Sequence, residues 1–101
     1  MILVHATVPV DPDSHDAAVD AIEDVVAASR EEDGVLEYRA FTEVGDDDTF
    51  HFLERYEDDA AFASHAQSDH FMQFAGALPE FVAGEPELVR FEVDGMSEIG
   101  L

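Results

Sequence analysis

Three features of the chain predict an α+β fold of the ferredoxin-like βαββαβ type, a four-stranded antiparallel sheet with helices on one face. Four short runs alternate apolar and polar residues or are rich in β-branched and aromatic ones, the mark of strands. Two longer runs carry apolar residues at helical spacing. The middle two strands are joined by Gly45-Asp46-Asp47-Asp48, a hairpin turn that makes them antiparallel.

The first strand is Ile2 to Val8, with Ile2, Val4, Ala6 and Val8 on one face and Leu3, His5 and Thr7 on the other. Both faces are largely apolar, so burial on both sides is expected. Pro9 to Ser14 reads as a turn, with Asp13 or Ser14 as N-cap of a helix from about His15 to Arg30. Val19, Ile22, Val25 or Val26, and Ser29 are spaced for its buried stripe. Gly34 suits the position after that helix, where a left-handed residue ends many helices. A second strand runs from Val35 to Glu43, placing Leu36, Tyr38 and Ala40 on one face.

The third strand, Thr49 to Tyr56, sets Phe50, Phe52, Glu54 and Tyr56 against His51, Leu53 and Arg55. Asp58 or Asp59 can cap the helical segment that follows, by accepting its free N–H groups. That segment breaks near Gln67 to Asp69 and resumes to about Ala77. Pro79 and Gly84-Glu85-Pro86 mark a loop, and Leu88 to Val93 is the last strand. Residues 1–95 form one domain and 96–101 a tail. A sheet apolar on both faces would expose a large patch in a monomer, so a homodimer packed through its bare face is expected.

The 101 residues carry 25 Asp and Glu against 4 Lys and Arg, a formal charge of −21, spread over every helix and turn. With 47% hydrophobic residues the chain still has enough apolar material for a modest core. Two readings fit: an ordinary acidic protein, or a surface adapted to molar salt, where the Debye length shrinks to about 3 Å and the repulsion is screened. The absence of lysine favours the second. Nucleic-acid binding is disfavoured, because phosphate neutralisation needs a basic face. There is no cysteine, hence no thiolate nucleophile and no Cys-ligated metal. The N-terminal run lacks a basic leader and Pro9 interrupts it, and no apolar run approaches membrane-spanning length. A cytoplasmic location is expected.

The stretch from Phe50 to Phe74 holds the chemistry. His65 shares a helical face with Phe62 and should point at the aromatic strand face. Two roles are open to it: a core histidine bonded to a carbonyl or to Glu54, or a proton acceptor for a phenolic substrate, since imidazole titrates near neutral pH. Glu54 lies among aromatics and needs a partner or a raised pKa; it would orient His65 or pair with Arg39 or Arg55. His5 belongs either to the cavity or to the sheet–sheet interface. His51 and His70 are weaker candidates. No H-x-x-x-H or HExxH spacing occurs, so no metal site is read, and no phosphate loop, nucleophile elbow or dinucleotide fingerprint is present.

Two pieces resemble the antibiotic biosynthesis monooxygenase family, which includes quinol monooxygenases. Arg30-Glu31-Glu32-Asp33-Gly34-Val35-Leu36-Glu37-Tyr38 is similar to the family's E-P-G-(C/V)-L-x-Y, with Asp33 where proline is commoner. Phe52-Leu53-Glu54-Arg55-Tyr56-Glu57-Asp58, then Ala61, His65, Ser68 and His70-Phe71, resembles F-x-x-x-E-x-(W/Y)-x-(D/S) ending in H-x-x-(S/T)-x-H-F. The resemblance implies a dimeric α+β barrel that oxidises a quinol or other phenol with O2 and no prosthetic group. It implies that His65 deprotonates or hydrogen-bonds the substrate and Glu54 orients it. His5 is a further substrate-binding candidate, and Phe52, Tyr56, Phe62, Phe71 and Phe74 would form the walls. Some relatives degrade haem, but His65 stands where those typically carry tryptophan, and no histidine occupies their later helical position near Ala75. The alternative function is a non-catalytic small-molecule-binding or stress-response domain of the same fold.

Overall fold

The computed structural model describes all 101 residues. Its strands are β1 (Ile2–Pro9), β2 (Val35–Glu43), β3 (Asp46–Tyr56) and β4 (Glu87–Glu92). Its helices are α1 (His15–Arg30), α2 (Asp59–Ala66) and α3 (Asp69–Ala77). The sheet order is β2-β3-β1-β4, all pairs antiparallel, which is the expected ferredoxin-like topology. No helix is long and apolar enough to cross a membrane.

Strand alternation sets the two faces. Ile2, Val4, Ala6 and Val8 of β1 and Phe50, Phe52, Glu54 and Tyr56 of β3 are buried under the helices. Leu3, His5 and Thr7, and His51, Leu53 and Arg55, point the other way and are half-buried. Ala18, Ile22, Val25 and Ser29 complete the core from α1, so Ala18 takes the place expected for Val19, which is only half-buried. Each buried Val, Ile or Phe stabilises the fold by about 2 kcal/mol.

Local chemistry ends the elements where backbone groups need partners. Asp58 caps α2 by accepting from the Ala61 N–H at 2.8 Å, and Ser68 caps α3 through the Phe71 N–H at 3.2 Å. At α1 the expected side-chain cap is missing: Ser14 makes no capping bond, and Asp11 instead caps a single 3-10 turn, Pro12–Ser14, that leads into the helix. Gly34 is not left-handed; Gly45 is the one residue with positive φ, at 87°. Gly34 is required for another reason, since a Cβ there would collide with the Cβ of Ala61. A register shift between Val35 and Glu37 turns Leu36 away from the face of Tyr38, leaving it 46% exposed.

The sheet face opposite the helices remains open in the single chain. Phe41, Val89 and Phe91 are each 45–47% exposed there, beside half-buried Leu3 and Leu53.

Candidate active site

Between the helix-covered sheet face and α3 lies a cavity of about 300 Å3. Phe52 comes from β3, Tyr38 from β2, Ala6 and Val8 from β1, Phe71 and Phe74 from α3, and Leu88 from β4. Glu54 is the single charged group on this wall. The pleat puts it there: two residues after Phe52, on the same face of the same strand.

Glu54 is 6% exposed, and its Oε1 accepts a 2.5 Å hydrogen bond from the Tyr56 hydroxyl. Burial raises the carboxyl to about 7, against the smaller opposing effect of the Tyr56 bond. The phenols of Tyr38 and Tyr56 are raised as well, first by burial and then by the Glu54 charge, so both stay protonated donors. The expected pairing of Glu54 with Arg39 or Arg55 does not occur. Arg55 lies on the opposite face and donates to Glu37 at 2.7 Å, which holds Glu37 below the usual carboxylate range.

His65 is 2% exposed but does not line the cavity. Its ring packs against Phe71, Tyr38 and Tyr56 at centroid distances of 5.0, 5.2 and 5.4 Å. Two of these, Phe71 and Tyr38, are cavity walls. The expected hydrogen bond to Glu54 is absent. His65 Nδ1 instead meets Oε2 of Glu32 at 2.8 Å, while Nε2 is buried without a partner. Its face was legible from helical spacing, but its partner comes from the turn after α1, 33 residues earlier. Glu32 is the residue that sequence reasoning missed, although it stands inside the first motif, immediately before Asp33-Gly34. His70 Nε2 meets the same Glu32 oxygen at 2.7 Å, so His70, a weaker candidate from the sequence, turns toward His65.

The remaining candidates divide. Phe52, Phe71 and Phe74 line the cavity as expected. Tyr56 is fully buried beside it and reaches Glu54 through its hydroxyl. Phe62 is not a wall: it lies edge-on to Tyr56 at 5.3 Å, under the guanidinium of Arg90, which also pairs with Asp59. His5 is excluded from the cavity by register. It sits opposite Leu53 and Val89 on the open face, where its Nε2 lies 2.9 Å from His51 Nδ1.

Comparison with known proteins identifies the fold and the family. The family model described as "Antibiotic biosynthesis monooxygenase" matches residues 1–77. "Putative monooxygenase YcnE" of Bacillus subtilis (strain 168) is 31% identical over 93 residues, covering 92% of this chain and 98% of that protein. Among solved structures, "Crystal structure of antibiotic biosynthesis monooxygenase" superposes with a TM-score of 0.88 at 23% identity, over 94% of this chain and 100% of that one. "Structure of Rv0793 from Mycobacterium tuberculosis" gives 0.89 at 18% identity, over 96% and 98%. At those identities the structures establish the shared fold. The family match and the Bacillus relative establish more: this chain belongs to the antibiotic biosynthesis monooxygenase family.

Proposed function

We propose that the protein is a cofactor-independent monooxygenase that oxidises a quinol or other phenol with O2 in the cavity beside Glu54. The observation that carries this reading is one carboxyl on an otherwise apolar wall, raised to about 7 by burial. A carboxylate so raised is a stronger base than a solvated one and is matched to neutral pH. Glu54 accepts the phenolic proton, exchanging its role with His65 relative to the sequence expectation. The phenolate then supplies the electrons. Overall a substrate SH2 and O2 give SO and water: one oxygen atom bonds to substrate carbon, and the other leaves with two substrate hydrogens. All four electrons come from the substrate, so no external reductant is consumed.

Cavity size narrows the substrate. An apolar space of about 150 Å3 holds benzene, so about 300 Å3 suits one or two rings. We also propose that a second copy covers the open sheet face, since Phe41, Val89 and Phe91 form an apolar surface there with Leu3 and Leu53. The function is tested by oxygen uptake with a panel of one- and two-ring quinols in molar-range KCl. Turnover by the native chain, lowered about 100-fold in Glu54→Gln, is the expected result for loss of a general base. Tight quinol binding without oxygen uptake would replace the enzyme with a binding domain.

A further inference from the structure

We propose that Glu32, His65 and His70 form a binding site for a divalent transition metal of the zinc class. This inference is independent of the oxygenase reading, because none of the three residues lines the cavity. The donor atoms are His65 Nδ1, His70 Nε2 and a Glu32 carboxylate oxygen, all within 4.8 Å of one another. Both imidazoles already converge on one oxygen, at 2.8 and 2.7 Å. A tetrahedral ion with bonds of about 2.0–2.1 Å needs donors about 3.3 Å apart. Lengthening these two nitrogen–oxygen contacts by about half an ångström therefore makes room for the ion.

The scaffold holds these groups from three directions. Glu32 follows the end of α1, where its N–H bonds to the Ser29 carbonyl at 3.1 Å. His65 closes α2 and His70 opens α3. Ser68 staples the break between them, donating to the His65 carbonyl at 2.7 Å and accepting from the Phe71 N–H. That break brings two histidines five positions apart to one point, a spacing outside the usual short metal motifs, so the sequence shows no sign of it.

Two imidazole nitrogens and one carboxylate select zinc, cobalt, nickel or copper over magnesium or calcium, which prefer six or more oxygens. His65 is sealed inside, but the His70 and Glu32 side chains are 28% and 17% exposed, giving the ion an entry path and a fourth position open to water. The charge of −21 concentrates cations around the chain. On binding, the metal takes His65 Nδ1, and the imidazole proton resides on Nε2.

The test is a titration of the chelator-treated full chain with Co2+, in molar-range KCl with excess Mg2+ to occupy surface carboxylates. We expect one Co2+ per chain, with the visible absorption of a four- or five-coordinate, imidazole-bound ion, displaced by Zn2+. His70→Ala and Glu32→Gln should each weaken binding by about 100-fold or more, since even groups behind a ligand contribute 10- to 100-fold. His15→Ala, remote from the cluster, should bind as the native chain does. Circular dichroism on each variant separates loss of a ligand from loss of the fold. A spectrum of oxygen-only octahedral cobalt, or unchanged affinity in folded His70→Ala, would overturn the assignment.

Discussion

Replacing Glu54 by glutamine should change how the fold responds to pH. In the folded chain the Glu54 carboxyl is raised from its ordinary 4.5 to about 7, chiefly because burial penalises the charged form. A raised pKa means the folded state holds its proton more tightly than the unfolded chain does. Below about pH 4.5 both states are protonated and the stabilisation is fully present; it is lost as pH rises toward and through about 7. At 1.36 kcal/mol for each tenfold change, the loss amounts to about 3 kcal/mol, or roughly 300-fold in the unfolding equilibrium. The side-chain amide introduced by Glu54→Gln cannot ionise, yet its carbonyl can still accept from the Tyr56 hydroxyl. Any fixed cost of burying the amide N–H2 cancels when each protein is compared with itself across pH. Repulsion among surface acids is common to both proteins, and Glu37 and Asp46, both lowered, titrate below this window. Guanidinium denaturation at about pH 4.5 and about pH 8 gives the two differences. We expect the native chain to lose about 3 kcal/mol more than Glu54→Gln across that interval. Parallel behaviour of the two proteins would mean that Glu54 carries no desolvation cost, and the base assigned to the cavity would lose its physical support.

The other expectations concern the surface, the open face and His65. With 25 acids against 4 bases, lowering KCl from molar to millimolar restores repulsion and should lower the melting temperature; no change would show that the acids are immaterial to folding. Light scattering in molar-range KCl should give twice the chain mass, and Phe91→Glu should give a monomer; a native monomer would refute the sheet-face pairing. His65→Ala removes a 2% exposed ring that supports Tyr38 and Phe71, and should cost about 2 kcal/mol or more of stability. It should raise KM while leaving kcat within a few-fold, as befits a positioning residue. A fall in kcat matching that of Glu54→Gln would return the proton-accepting role to His65.

The desolvation that burial imposes on Glu54 supports the proposed proton-accepting role. A hydrophobic residue in the place of Glu54 would pack against Phe52 and Tyr38 without that cost, yet the strand places an acid there. The same cannot be said of Glu37, whose pairing with Arg55 on the half-buried face accounts for it structurally.

Periodicity within one element was enough to decide what shares a face. Phe50, Phe52, Glu54 and Tyr56 had to lie together because a strand repeats every two residues, and charge on that face had to be either partnered or displaced in pKa. The break between α2 and α3 was also legible, from Gln67-Ser68-Asp69. What approaches what across elements was not. Only the packing of α1 against the sheet and α3 brings Glu32 to His65 and His70, over 33 and 38 residues of chain. The register of β1 between β3 and β4 decided that His5 faces away from the cavity, and one bulge in β2 turned Leu36 outward. Local steric preferences determine a residue's direction within its own helix or strand, whereas the partner it meets depends on how loops and side-chain volumes dock those elements in three dimensions.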